Sequence, residues 1–175
     1  MNLPVGYELD SIRGGGVAFA HAADGTRVVV KELALGRVSS WKEIELFERE
    51  VATLRQLQHP SIPVLLEDVR GEGDTPTFYL VAEWVEGESF ESLADAMDEE
   101  RLKSVTRKLL EVLVYLQDFS PPVLHRNITP EAVIVGPDDR VSLVDFGAVQ
   151  VELQATVGGS TVVGTSGYMA PEQLL

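Results

Sequence analysis

Two charged residues in the first third of the chain have the types and the spacing to form a buried ion pair. On a helical wheel with about 100° per residue, Glu50 falls between Leu54 and Leu57, on the apolar face of a predicted helix. Burying a carboxylate is costly unless a cation pairs with it. Lys31 is the only charge in the run 28–31, which makes it the natural partner. The alternative is that Glu50 lies at the rim of this face and is solvated.

The strands that would hold such a cation are indicated by β-branched runs and turn residues. Residues 17–20 and 27–33 have strand composition, and residues 23–25 between them form a hairpin signal. Two further strands are predicted at residues 64–69 and 78–84.

The helix that carries Glu50 is the best helix in the sequence. Ser40 and Glu43 fit a capping box at its start, and His59 followed by Pro60 ends it. Between them, apolar residues recur at helical spacing: Ile44, Phe47, Val51, Leu54 and Leu57.

The second half of the chain has a different pattern. An amphipathic helix ending near Asp118 is predicted from Leu102, Val105, Leu109, Leu113 and Leu116. Short strands are predicted at 132–135 and 141–144, and residues 147–168 read as a long loop. A strand-rich half at residues 1–86 followed by a helix-rich half at residues 87–175 predicts a single α+β domain with two lobes.

Five ordered motifs resemble those of protein kinases. Residues 28–31 resemble the V-A-I-K strand, and residues 47–50 resemble the helix with the pairing glutamate. Residues 125–132 stand where the family has its H-R-D catalytic loop, and residues 145–147 and 170–172 match D-F-G and A-P-E. The phrases PPVLHR and VGTSGYMAPEQ are most similar to bacterial serine/threonine kinases.

The resemblance implies ATP and Mg²⁺ as cofactors. Lys31 would hold the α- and β-phosphates, Glu50 would orient Lys31, and Asp145 would bind the metal. Residues 83–85 would form the hinge for adenine, and Ala82 would guard the pocket behind it. The nucleotide-binding residues implied in this way are Gly14, Gly15, Gly16, Val29, Lys31, Glu50, Ala82, Glu83, Val85, Ile134 and Asp145.

The catalytic loop departs from the family pattern at all three chemical positions. Asn127 replaces the catalytic aspartate, and a neutral amide does not accept a proton at neutral pH. Thr129 replaces a lysine, and Ala132 replaces the asparagine that holds a second magnesium. The alternative is an active enzyme with a substitute base such as Glu131, because positioning and metal supply most of the rate in phosphoryl transfer.

The glycine-rich loop is also altered. Gly16 fits the last glycine of G-x-G-x-x-G, whereas Ser11 and Arg13 stand at the first two positions, and Gly14 and Gly15 keep flexibility nearby. The alternative is an ordinary hairpin turn, in which these glycines would not hold the phosphates of a nucleotide.

A regulatory site is implied by Arg126, which in the family binds a phosphate on the activation loop. Thr161 lies four residues before Thr165, which is the spacing of that phosphorylation site. The alternative is that Thr161 is an ordinary loop threonine.

The sequence stops just after the A-P-E motif, whereas the family continues with further helices. Glu172 therefore lacks the arginine that usually pairs with it, and part of the apolar face of the 102–116 helix would be uncovered. We expect either a protein partner or a second copy of the chain to cover this face, unless the chain is a fragment of a longer protein.

Composition excludes several other function classes. The 28 acidic and 14 basic residues give a net charge of -14, which disfavours nucleic acid and anionic membranes as partners. Cysteine is absent, the three histidines are scattered, and neither a signal peptide nor a membrane span is recognisable. A cytoplasmic protein is expected.

Three hypotheses for function follow. The first is a truncated pseudokinase that acts as a nucleotide-binding or regulatory interaction module, and the second is an atypical active serine/threonine kinase. The third is a non-functional remnant, against which the intact Lys31 and Asp145 argue.

Overall fold

A five-stranded antiparallel sheet forms the centre of the first part of the chain. The computed structural model describes residues 3–71, 76–151 and 164–173. The chain divides into two units, one formed by the residues up to Leu57 with Pro63–Trp84, the other by Gln58–Ile62 and the residues from Val85 onward. The sheet belongs to the first unit, and its spatial order is β1-β2-β3-β5-β4. Its strands are β1 (Tyr7–Gly14), β2 (Val17–Ala22), β3 (Arg27–Ala34), β4 (Leu65–Gly71) and β5 (Thr77–Glu83).

Side chains along β3 and β5 point alternately to the two faces of this sheet. Val28 and Val30 on β3 are fully buried, as is Val81 on β5. They form an apolar core together with Ala20 and Tyr79. The residues between them on the same strands point to the other face, because successive side chains of a strand alternate.

A helix packs on that other face. It is α1 (Trp41–Leu54), and its buried residues include Phe47, Glu50 and Val51. Phe47 contacts Phe78 of β5, with the two ring centroids 6.3 Å apart. Lys31 of β3 lies on the same face of the sheet as Phe78, which brings its side chain towards the helix.

The two ends of α1 differ from the sequence-based prediction. The predicted capping box is wrong in its serine: the Ser40 side chain makes no capping hydrogen bond, and Glu43 instead accepts from the backbone N–H of Ser39 at 3.0 Å and from its hydroxyl. The helix also ends before Leu57. The N–H of Leu57 is shared between the carbonyls of residues 53 and 54, and that of Gln58 donates to Tyr115 Oη at 2.8 Å.

Strand β1 was not predicted, because it lies at the edge of the sheet and almost all of its residues are exposed. Its apolar residues Tyr7 and Leu9 alternate with charged ones, but Ile12 is out of phase with them, so the alternation is too short to mark a strand. Its pairing with β2 is interrupted by two register shifts, between Leu9 and Ser11 and between Ile12 and Gly14.

The described residues of the second unit form one long helix and several short elements. The helices are α2 (Phe90–Leu93) and α3 (Glu99–Gln117), and 3₁₀ turns occur at Ala94–Ala96, Pro130–Ala132, Pro137–Asp139, Phe146–Ala148 and Pro171–Gln173. Three short strands form one sheet in the order β6-β8-β9, and two others pair as β10-β7. These strands are β6 (Glu88–Ser89), β7 (Val123–Leu124), β8 (Val133–Val135), β9 (Val141–Leu143) and β10 (Gln150–Val151).

Helix α3 confirms the amphipathic helix expected from the sequence. Asp98 caps it by accepting the N–H of Arg101 at 2.8 Å. Val105, Val112 and Leu116 are buried. A stripe on the adjoining side of the helix is exposed, formed by Leu102, Leu110 and Val114.

The predicted strands at 132–135 and 141–144 are confirmed within one residue at an end. The predicted loop at 147–168 is wrong at its start, because the 3₁₀ turn Phe146–Ala148 and strand β10 lie there. Most of the remainder lies outside the described residues. No helix in the described part of the chain is long and apolar enough to span a membrane.

Candidate functional site

Lys31 and Glu50 form the ion pair that the sequence predicts. Lys31 Nζ donates to Glu50 Oε2 at 2.5 Å, and the exposed fractions of the two side chains are 26% and 6%. The short contact joins β3 to α1. The Glu50 carboxylate side chain is buried, whereas about a quarter of the Lys31 side chain is exposed. The alternative of a solvated Glu50 is excluded.

The glycines implied in phosphate binding form a tight hairpin turn. Gly14 pairs with Val17, so that only Gly15 and Gly16 connect the strands, both at positive φ. Gly16 is closely confined: a Cβ built there would lie 2.6 Å from the carbonyl oxygen of Glu32. Such a short turn resembles a type I′ hairpin more than an extended loop folded over phosphates.

Four of the remaining residues implied in nucleotide binding lie on strands, and Val85 follows the end of β5. Val29 of β3 pairs with Ala82 of β5, and Glu83 ends β5 opposite Val28. In the second unit, Ile134 lies at the centre of β8, and Val85 is half-buried.

A buried neutral histidine organises the catalytic loop. His125 is 3% exposed and packs edge-on against Phe146, with ring centroids 4.7 Å apart. Its Nε2–H donates to the carbonyl of Val144 at 3.1 Å, and its Nδ1 accepts the N–H of Asn127 at 3.4 Å. Burial lowers the pKa of His125 below its usual 6.5, partly offset by the Val144 carbonyl. One donating and one accepting nitrogen match the neutral ring.

Asn127 connects two further residues by its side chain. Its Nδ2 donates to Asp145 Oδ2 at 3.0 Å, and its Oδ1 accepts from Thr165 Oγ1 at 2.7 Å. Both ends of the amide are therefore engaged. Thr165, which the sequence marked only by its spacing from Thr161, lies at the catalytic loop.

Thr129 and Ala132 have structural positions in this loop. Thr129 is buried, and its hydroxyl accepts the N–H of Ala132 at 3.3 Å, which caps the Pro130–Ala132 turn. Ala132 is buried too, and its carbonyl accepts the N–H of Val144 at 2.8 Å. Neither side chain brings a charge or a metal ligand to Asp145.

The predicted phosphate-binding residue, Arg126, contacts a neutral side chain. Its Nη1 donates to Gln150 Oε1, and its backbone carbonyl accepts from Gln173 Nε2 at 3.0 Å. Thr161 lies outside the described residues, so its role stays a prediction. Gln150 and Gln173 were not predictable from the sequence, because glutamines 24 and 47 residues away from Arg126 leave no local pattern.

Comparison with known proteins identifies the family. The protein kinase domain matches residues 13–175 of the chain. The chain belongs to the protein kinase family. This match and the antiparallel five-stranded sheet confirm the predicted fold class.

Curated relatives of this kinase domain are protein kinases, several of which are named serine/threonine kinases. It is 36% identical over 159 residues to serine/threonine-protein kinase D of Synechocystis sp., covering 83% of the chain and 30% of the relative. It is 33% identical over 144 residues to kinase B of the same organism, covering 74% and 24%. It is also 33% identical over 179 residues to CBL-interacting protein kinase 17 of Oryza sativa subsp. japonica, covering 97% and 38%. The chain thus spans well under half the length of each of these relatives.

Protein kinases as a family use ATP and Mg²⁺. The residues of this kinase domain that could bind metal can be compared with the ligands that Mg²⁺ needs. Asp145 offers a carboxylate, one oxygen of which already accepts the Asn127 amide. Ala132 stands where the second ligand would be. Among the described residues, no group of three or more His, Asp or Glu side chains could hold a metal ion. These residues do not fit a pair of magnesium ions.

We expect Lys31→Met to lower the free energy of unfolding by about 2–4 kcal/mol, because it removes the ammonium that pairs with a buried carboxylate. The double variant Lys31→Met/Glu50→Met removes both charges and should recover most of that loss. Urea unfolding of the three proteins measures both effects. Equal stability of Lys31→Met and the unmodified protein would contradict the interpretation of the pair.

We expect stability to decrease as the pH falls below about 6.5, because unfolded His125 takes up a proton there while the buried ring resists it. Above that pH both states are neutral, and this contribution is complete. His125→Gln, which keeps a donor for Val144, should remove this part of the pH dependence, whereas His21→Gln on the surface should retain it. Unfolding curves measured from pH 5 to 8 give the change in the free energy of unfolding with pH. If this change is the same for His125→Gln and the unmodified protein, His125 is not its source.

Proposed function

We propose that this kinase domain is a pseudokinase, a nucleotide-binding or regulatory interaction module that does not transfer phosphate. The observation that carries the proposal is the engagement of Asn127 with both Asp145 and Thr165. An amide has no basic lone pair for a substrate hydroxyl proton. A general base is worth roughly 10²- to 10⁴-fold in rate.

The two other altered positions support this proposal. Thr129 is used as a cap inside the loop, and the methyl group of Ala132 is buried. A substitute for either function would have to come from elsewhere, because neither side chain can supply a cation or a metal ligand. The loss of base, cation and second ligand in one loop leaves positioning as the remaining contribution.

Nucleotide binding is supported chiefly by Lys31. Glu50 fixes the ammonium at 2.5 Å, and about a quarter of the lysine side chain stays exposed. A fixed ammonium is suited to phosphate oxygens. The tight turn at Gly15 and Gly16 adds little enclosure, so we expect weak rather than tight binding of ATP.

An active serine/threonine kinase is the second candidate. It is favoured by the intact Lys31–Glu50 pair and by Asp145, which lies exposed beside the catalytic loop. Asp145 is also the residue whose removal distinguishes the two candidates.

We expect ATP to raise the melting temperature of the unmodified protein by several degrees, with no detectable transfer of radiolabelled phosphate to itself or to added protein. Lys31→Met should abolish the ATP-dependent increase, measured relative to its own melting temperature without ligand. Phosphate transfer that Asp145→Ala abolishes would establish the active kinase. Asn127→Asp/Ala132→Asn provides a second comparison, because it restores two of the missing groups.

A protein partner is the other part of the proposal. Leu102, Leu110 and Val114 form an apolar stripe along α3, and the exposed fractions of Leu110 and Val114 are both 55%. Leu110 and Val114 lie one helical turn apart, and exposed apolar side chains that adjoin in this way often mark an interface. The net charge of -14 disfavours nucleic acid and membrane lipid as partners. A cytoplasmic location is part of the proposal and agrees with the absence of cysteine.

We expect the purified protein to sediment as an assembly at low micromolar concentration, and Leu110→Glu/Val114→Glu to shift it towards monomer. Leu124→Glu, at an exposed apolar residue outside α3, is the matched control and should leave the assembly unchanged. A monomer with a cooperative melting transition would show that this stripe needs no second copy of the chain.

A further inference from the structure

The side chain of Asn127 has only one orientation that satisfies its two neighbours. The Asp145 carboxylate can only accept hydrogen bonds, so the amide nitrogen must face it, at 3.0 Å. The amide oxygen then faces Thr165, whose hydroxyl donates to it at 2.7 Å. The result is a directed chain of hydrogen bonds from Thr165 through Asn127 to Asp145.

We infer that Asn127 is a positioning residue that replaces a divalent cation: its amide N–H occupies a lone pair of Asp145 and holds that carboxylate in place without metal. The consequence for ligand class is that a nucleotide bound by this chain is bound without a requirement for a divalent cation. This consequence rests on the proposed nucleotide binding, whereas the positioning role does not.

An amide suits position 127 better than a carboxylate does in these surroundings. A carboxylate there could still accept from Thr165, but it would place a second negative charge about 3 Å from Asp145 and lose the donor. Thr129 and Ala132 bring neither a cation nor a metal ligand to separate two such charges. The three departures from the kinase pattern are therefore mutually consistent.

The backbone on both sides of the Asn127–Asp145 hydrogen bond has conformations that surrounding contacts must hold in place. Arg126 and Asp145 both have φ of 64°, in the left-handed region that non-glycine residues rarely occupy. Residues in this region persist where surrounding contacts hold them. His125 is one such contact, because it bonds the carbonyl of Val144 and the N–H of Asn127. The Asn127–Asp145 bond is another such contact, made between side chains.

Two variants distinguish the effect of losing the amide donor at position 127 from the effect of adding a negative charge. Asn127→Asp keeps the size of the side chain and the acceptor for Thr165, and it replaces only the donor. Asn127→Asp/Asp145→Asn exchanges the two groups, so that one donor, one acceptor and one negative charge are present again. Gln58→Glu, at an exposed residue, controls for the added charge.

The experiment measures melting temperature without nucleotide, in EDTA and in millimolar magnesium. In EDTA, we expect Asn127→Asp to melt about 3–6 °C below the unmodified protein, and the exchanged double variant to recover most of that shift. Magnesium should raise the melting temperature of Asn127→Asp, because this variant offers the cation two carboxylates. It should leave the melting temperature of the unmodified protein unchanged. A melting temperature of Asn127→Asp in EDTA that equals or exceeds that of the unmodified protein would overturn the inference. An equal magnesium-dependent increase in both proteins would overturn it as well.

The unmodified protein supplies a test that does not depend on a folded variant. In a ¹⁵N-labelled sample, the side-chain amide signals of Asn127 should keep their line width when submillimolar Mn²⁺ is added. Paramagnetic broadening of these signals would show that a cation reaches Asp145, and it would refute the inference. Because ATP is absent from both experiments, their failure is separate from a failure of nucleotide binding.

Discussion

The first unit depends on one electrostatic constraint, which is that the buried carboxylate of Glu50 needs a cation. Lys31 supplies it at 2.5 Å, and this contact defines which face of β3 meets α1 and where the helix lies along the strand. The aromatic contact between Phe47 and Phe78 supports the same arrangement. The cost of leaving a buried charge unpaired makes this register much more stable than a shifted one.

The catalytic loop of the second unit is instead organised by neutral groups. His125, Asn127 and Thr129 each use their side chains to hold the loop or its neighbours. In each of these hydrogen bonds the side chain that holds the loop is neutral, and the one charged partner is the exposed carboxylate of Asp145. Residues at the positions where the kinase family has its chemical groups hold the loop together here, and this is the physical basis for proposing binding rather than catalysis.

The sequence predicts features that depend on local pattern and misses those that depend on distant contacts. The Lys31–Glu50 pair was predictable because a charge interrupts a helical apolar face. Strand β1 was not, since its side chains are largely exposed and its alternation of apolar and polar residues stops after Asp10. The contact of Thr165 with Asn127 joins residues 38 positions apart, and no periodicity encodes it. The capping box shows a finer limit, because adjacent serines compete for Glu43 and only the backbone geometry decides between them.

The irregular pairing of β1 has a consequence for self-association of the sheet. An edge strand exposes unpaired backbone groups to which another extended chain can add. In β1, the two register shifts bend the edge, and Glu8, Asp10 and Arg13 place charges along it. These features oppose the pairing of β1 with the edge strand of another molecule, even though Leu9 and Ile12 are exposed there. Irregularity at this edge thus protects the folded protein from aggregation.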